Sequence, residues 1–271
     1  MALTIVQQLV WIGAGAATVM VMLWVIQLRT RDAGVVDVGW AACLGAAAVF
    51  CGLTGCGDPI RRLMVGAMGG LWGARLALHI LTDRVLKGQE DGRYQAMREK
   101  LGTRTNAVFL AFFLAQGLLV VFLSAPFGLA SGSVRAAPSI LDLTGAAVWL
   151  VGIAGESIAD RQLKLFKRDQ ANKGAVCNVG LWKYSRHPNY FFEWLMWISY
   201  ALLAVSAPYG WLAWSSPLLM LLLVLKVTGI PPTEARALRS RGDAYRRYQR
   251  TTSALVPWFP KHDGSAKEVA S

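Results

Sequence analysis

Tyr184-Ser185-Arg186-His187-Pro188-Asn189-Tyr190-Phe191-Phe192-Glu193 opens an apolar run that continues through Trp197 to about Leu203. A cation, an imidazole, a carboxamide, two phenols and a carboxylate therefore stand at the mouth of a membrane-length segment. Pro188 suits the first turn of a helix, where its missing N–H costs nothing. Asn189, Glu193 and Trp197 follow at four-residue spacing and share one helix face. A carboxylate and an amide are costly in lipid, so this face is expected to bind or catalyse something.

The surrounding chain supports the membrane reading. Hydrophobic residues make up 55% of the 271 residues and charged residues only 16%, where a soluble protein carries about a quarter charged residues. Apolar runs of membrane-crossing length recur near 4–28, 35–55, 62–82, 106–126, 139–160, 189–208 and 211–230. The expected fold is all-α: one polytopic membrane domain over residues 1–260 with about seven transmembrane helices, cytoplasmic helical loops and a short polar tail over 261–271. The first run lacks a basic leader and a small-residue cleavage site, and is expected to be a retained span.

The net charge of +12 does not point to nucleic acid, because its distribution is a topology signal. With the N-terminus outside, the inner segments hold Arg29 and Arg31, then Arg84 to Arg104, then Arg161 to Arg186, then the basic tail. The outer loops hold Arg61, Arg62 and Arg135. Excess Lys and Arg in short loops marks the cytoplasmic side, so the C-terminus is expected in the cytoplasm, in a bacterial inner membrane. The four cysteines and three histidines have no metal-ligand spacing, and no metal site is expected.

Polar residues recur inside or at the edge of the spans. Asp37 lies one turn into the second run, and Arg75, His79 and Asp83 form a four-residue stripe on the third. Glu156, Asp160, Lys164 and Lys167 share one face of the fifth. With Asn189 and Glu193 on the sixth, groups from four helices fall at one expected depth, which suggests a shared cavity. A structural ion pair of Asp37 with Arg75 is the bland alternative for those two.

A nucleotide cofactor at such a mouth needs basic and amide donors for its phosphates. Lys164, Lys167, Arg186, Asn189 and Arg246 could supply them, with His187 beside Arg186, while Asp160 could accept from ribose or adenine. Tyr190 offers a flat surface and a phenolic donor. Deeper in the helices Asp37, Arg75 and Glu193 could polarise a substrate carbonyl, and apolar walls would accept a lipid.

Several stretches resemble bacterial members of the DUF1295 group within the steroid 5-alpha-reductase-like membrane superfamily. They include Val36-Asp37-Val38-Gly39-Trp40, Leu71-Trp72-Gly73-Ala74-Arg75, Gly88-Gln89-Glu90-Asp91-Gly92-Arg93-Tyr94, Gly180-Leu181-Trp182-Lys183-Tyr184-Ser185-Arg186-His187-Pro188-Asn189-Tyr190 and Tyr245-Arg246-Arg247-Tyr248. The resemblance covers about residues 30–260. It implies seven membrane helices, NADPH held in a cytoplasm-facing cavity, and reduction of an activated carbon–carbon double bond in a lipid. It implies cofactor contacts at Asn189, Tyr190 and Glu193, with Asp160, Lys164 and Lys167 on the preceding helix and Arg75 on the third span. The chain departs from the steroid enzymes at their substrate-polarising Gln-Glu pair, near which it has only Asp37.

Two other readings stay open. The Arg-His-Pro-x-Tyr segment and a tail with Glu and Tyr also resemble isoprenylcysteine carboxyl methyltransferases, which implies S-adenosylmethionine at much the same mouth. Phosphate charge discriminates them, since NADPH carries phosphates and S-adenosylmethionine none. The third reading is a lipid-binding membrane protein without catalysis.

Overall fold

A computed structural model describes residues 2–88 and 90–262. Gln89 and most of the polar tail anticipated over 261–271 lie outside the described residues. Among the described residues the fold is all-helical, and six helices are long and apolar enough to cross a membrane: Ile5–Thr30, Val35–Thr54, Pro59–Lys87, Gly92–Ser131, Ile140–Arg168 and Gly210–Thr251. The chain divides into two compact units, one of residues up to Ala146 plus Tyr200–Ser216, the other of Ala147–Ser199 plus the chain from Pro217.

In the first unit α1 (Ile5–Thr30), α2 (Val35–Thr54) and α3 (Pro59–Asp83) run in sequence. The starts of α1 and α3 are chemically marked. Thr4 and Gln7 form a reciprocal capping box, and the Asp58 carboxylate accepts from the N–H groups of Ile60 and Arg61, with Pro59 in the first turn. Small residues set how closely α2 and α3 pack: a Cβ added at Gly73 would meet the Gly45 Cα at 2.5 Å. Backbone approaches of this kind are how apolar helices associate in lipid, where hydrophobic burial gives no drive.

A polar loop follows, with α4 (Gly92–Leu101) in it, then α5 (Thr105–Leu123) and the short α6 (Ala125–Ser131). Met20, Tyr94, Phe109 and Phe113 are all buried in one cluster that ties α4 to α1 and α5. The segment around 127–138, which the sequence marks only as a Gly, Ser and Ala-rich outer loop, is an anchor. Arg61 is fully buried and binds Asp142 through two nitrogens, at 2.8 and 2.7 Å. Its third nitrogen donates to the Ser133 hydroxyl at 3.1 Å and the Arg135 carbonyl at 2.9 Å. Arg61 is therefore no loop charge, and Asp142 is neutralised at the first turn of α7 (Ile140–Arg168).

In the second unit α7 continues through Lys164 and Lys167 and ends in solvent-exposed Arg168. Helix α8 (Pro188–Ala204) begins at the proline, as the sequence indicates. It ends four residues before the expected 208 and, at 17 residues, is about 25 Å long. The last apolar run is not one regular helix: α9 (Ser215–Leu222) passes into a π-helical turn at Leu223–Val227. Pro231 and Pro232 follow the end of that run at Val227. They stand in the first turn of the polar helix α10 (Ile230–Thr251), which tolerates their missing N–H groups. Gly242, at φ 49°, breaks α10 in two.

Candidate functional site

The segment Gly180–His187 is a short connection whose every turn is tied down within the second unit. Gly180 has φ +56°, and a Cβ there would sit 2.4 Å from the Gln162 amide. That amide's oxygen accepts from Leu181 N at 2.9 Å, and the Trp182 indole donates to the Ala159 carbonyl at 2.9 Å. Both bonds fix the segment to α7. On the other side the Ser185 hydroxyl donates to Leu255 O at 2.7 Å, Arg186 N to Ser253 O at 2.8 Å, and Trp258 N to Tyr184 O at 2.9 Å. The buried Tyr248 hydroxyl donates to the carbonyls of Trp182 and Ser185.

Arg186 and His187 share one carboxylate. Arg186 Nε donates to Glu234 Oε1 at 2.7 Å and Nη1 to Gln249 O at 3.0 Å and Thr252 O at 2.5 Å. His187 Nε2 lies 3.3 Å from the same Glu234 oxygen, and Gln249 Nε2 donates to Oε2 at 2.6 Å. His187 is buried, and its ring stacks on Tyr190 with centroids 5.3 Å apart and planes 4° from parallel. The result is a satisfied network that orients the start of α8. Glu234 is its centre; the sequence marks it only as the tail glutamate of the methyltransferase resemblance, in the first turn after Pro231-Pro232, and gives it no partner.

Next to this network lies a looser polar group. Asn189 Nδ2 and Asp160 Oδ1 are 3.5 Å apart, the long limit for a hydrogen bond. Both are half-buried. Helices α7 and α8 approach closely here: a Cβ at Gly155 would fall 2.4 Å from the Phe192 ring. Lys164 and Lys167 continue the Asp160 face of α7, the former half-buried and the latter exposed, and half-buried Glu193 continues the Asn189 face of α8. Tyr190 OH is 3.3 Å from the Thr233 hydroxyl. Arg246 is exposed and bonds Asp243 at 2.7 Å.

The first unit holds the remaining sequence-predicted residues. The Asp37 carboxylate is engaged at both oxygens: Arg93 Nη2 donates to one at 2.8 Å and Tyr94 OH to the other at 2.8 Å. Arg84 stands 3.7 Å from it. The Asp91 carboxyl, on the same loop, is raised by burial but lowered more by the Arg93 N–H and the charges of Arg93 and Arg84, so its net shift is downward. Half-buried Arg75 lies on α3, with His79 3.5 Å from Asp83 one turn on. The partners of Asp37, 56 and 57 residues away in sequence, lie in the stretch over 88–94 that carries the family resemblance, but nothing local links that stretch to Asp37.

Helices of this length and apolarity, with charged clusters at their ends, define an integral membrane protein. The chain belongs to the DUF1295 family, described as "Protein of unknown function (DUF1295)", which it matches over residues 23–252. It is also similar to an uncharacterized protein of the fission yeast Schizosaccharomyces pombe, 27% identical over 275 residues that cover 92% of this chain and 78% of the relative. No solved structure matches.

Proposed function

We propose that this protein is an NADPH-dependent reductase of an activated carbon–carbon double bond in a lipid. The observation that carries the reading is the glycine-tight α7–α8 pair, which sets Asp160 beside Asn189 with Lys164 and Lys167 following on the Asp160 face. A carboxylate, a carboxamide and two ammonium groups in this order suit a nucleotide: the first two for ribose or amide groups, the lysines for phosphates. NADPH would supply the hydride. Tyr190 would flank the cofactor, and His187, stacked on it, would hold its ring.

The residues' own tasks then divide. Arg186 spends its donors on Glu234 and two carbonyls, so in this reading it positions the Asn189 turn. Within the second unit, Glu193 is the group assigned to hydrogen-bond a substrate oxygen or orient the reactive ring, where apolar walls exclude water. Asp37, held by Arg93 and Tyr94, positions those two side chains. The reading also takes α8 as a seventh span. It places the N-terminus outside and the C-terminus in the cytoplasm of a bacterial inner membrane, from the Lys and Arg bias.

One observation favours a second reading. With Arg186 engaged internally and Arg246 bonded to Asp243, fewer cations remain for phosphates, which narrows the margin over an S-adenosylmethionine-dependent methyltransferase. Titration of the purified protein with NADPH and with S-adenosylmethionine separates them. Saturable NADPH binding, weakened in Lys167→Ala and Asn189→Ala, is the expected result. Tight binding of S-adenosylmethionine alone would sink the reductase.

A further inference from the structure

Helix α1 ends at Thr30, and Arg31, which follows, adopts φ +56°, a conformation uncommon outside glycine and worth a reason. It lines a cavity of about 310 Å³ together with Arg98, Gly102, Thr103, Thr105 and Asn106, within the size range of ligand sites, roughly 300–1,000 Å³. The cavity sits where two apolar runs stop together. The Trp24 indole on α1 donates to the Asn106 carbonyl at 2.9 Å, pinning α1 to the start of α5. Tryptophan at such a position marks the headgroup level of a bilayer.

Arg98 is held rigidly. Its Nε lies 3.0 Å from Glu90 Oε2, its Nη2 donates to Gln27 Oε1 at 2.9 Å, and the guanidinium lies 4.8 Å from the Phe109 ring centroid. Two donors in this cluster are nonetheless buried with no acceptor among the described residues: Arg98 Nη1 and Gln27 Nε2, the latter on a side chain that is fully buried. Buried unsatisfied donors are rare in native proteins, and each calls for an explanation. Glu90 balances Arg98, and its Oε1 accepts from Ala33 N; Asp32 is bonded to Gly34 N. The lining itself carries two guanidinium groups, Arg31 and Arg98, with hydroxyl and amide groups and no carboxylate.

We propose that this cavity binds a phosphate ester carrying one negative charge, and that its depth selects the phosphodiester of an anionic phospholipid. A lining of cations and neutral donors without a carboxylate matches a phosphodiester. Hydroxyl, amide and guanidinium donors match its oxygens, and the ends of α1 and α5 place it at the headgroup level. The proposal is independent of the reductase reading, since none of its residues belongs to the α7–α8 group.

Native mass spectrometry of the full chain, released from nanodiscs of equal phosphatidylglycerol and phosphatidylcholine, tests it. Retention of phosphatidylglycerol above phosphatidylcholine is expected, and Arg31→Gln should lower it roughly fivefold, the effect of one interfacial cation. Arg239→Gln on α10, an equal loss of charge elsewhere, should leave it unchanged. Competition by 10 mM inorganic phosphate without a lipid preference would support the anion site and assign it to a soluble phosphate. Equal retention of both lipids with no phosphate effect would overturn the proposal, as would equal losses in Arg31→Gln and Arg239→Gln. Thr103→Val, on an exposed turn, repeats the test should Arg31→Gln not fold.

Discussion

Two polar groups flank the start of α8, and they are built on opposite principles. Around Glu234 the polar groups find close partners: Arg186, His187 and Gln249 surround its two oxygens at 2.6 to 3.3 Å. Asn189 and Asp160 meet only at 3.5 Å, half-buried, with ammonium groups further along the same face. On the proposed reading that difference separates architecture from function. Buried polar groups that satisfy one another leave nothing for a ligand, whereas the Asn189 amide, at the long limit of its hydrogen bond, can exchange that bond for one to a ligand at small cost. The familiar-looking Arg186-His187 pair belongs to the first kind, although its residue types alone suggest the second.

Arg61 and Asp142 in the first unit are the extreme of the architectural kind, at 0% and 1% side-chain exposure. Removing one partner strands the other's charge, so Asp142→Asn or Arg61→Met should destabilise by ~3–5 kcal/mol. Thermal unfolding in detergent would register this as the largest loss of any substitution discussed. A normal melting temperature would mean that buried, satisfied pairs do not carry this fold, and the contrast drawn above would collapse. Gly73→Ala tests the apolar counterpart. Its Cβ meets Gly45 Cα at 2.5 Å, and the resulting backbone shift should cost ~1–3 kcal/mol.

The sequence made these two features unequally visible. Small residues on α2 and α3 fall at helical spacing, and the apolar runs, the start of α8 at Pro188 and the basic extension of α7 all follow from local periodicity. The Arg61–Asp142 pair does not, since 81 residues separate partners that each look like ordinary loop or flanking charges. Glu234, 47 residues from His187, was equally silent. Asp37 is visible as an intramembrane carboxylate and Arg93 and Tyr94 as part of the stretch over 88–94, but their pairing is not, because a helix-period argument ranks positions along one element and carries no information on which loop folds over its end. The Asp160, Lys164, Lys167 face was legible because all three lie on one helix.

Glu234→Gln probes the contrast at closer range. It keeps the shape and removes the charge that Arg186 faces, so hydrogen bonds to a charged group, worth about 1.5–3 kcal/mol, are weakened on a partly buried network. On the reductase reading the expected result is a lowered melting temperature, with NADPH affinity following only as far as the Asn189 turn loosens. Asn189→Ala should do the converse. A weak 3.5 Å contact contributes under about 1 kcal/mol to stability, yet loss of one ligand hydrogen bond should cost roughly tenfold in affinity. If both substitutions lowered stability and affinity in the same ratio, the two groups would be one functional unit.

Arg246 should give the smallest effect, and it is the sharpest check on how cations near the site are counted. From sequence it stands with Lys164 and Lys167 as a phosphate donor. In the structure its side chain is 64% exposed and bonds Asp243, itself 95% exposed, three residues back on α10. An exposed pair of this kind contributes ~0.5 kcal/mol or less, so Arg246→Ala should leave the melting temperature within error. Its effect on NADPH binding should be about twofold and should vanish in 0.5 M salt, because an exposed charge acts at a distance and is screened. Lys167→Ala, if Lys167 touches phosphate directly, should retain part of its defect at that salt concentration. Equal and salt-insensitive losses in both variants would restore Arg246 to the cofactor's direct contacts and show that exposure in the unliganded chain does not sort donors from bystanders here.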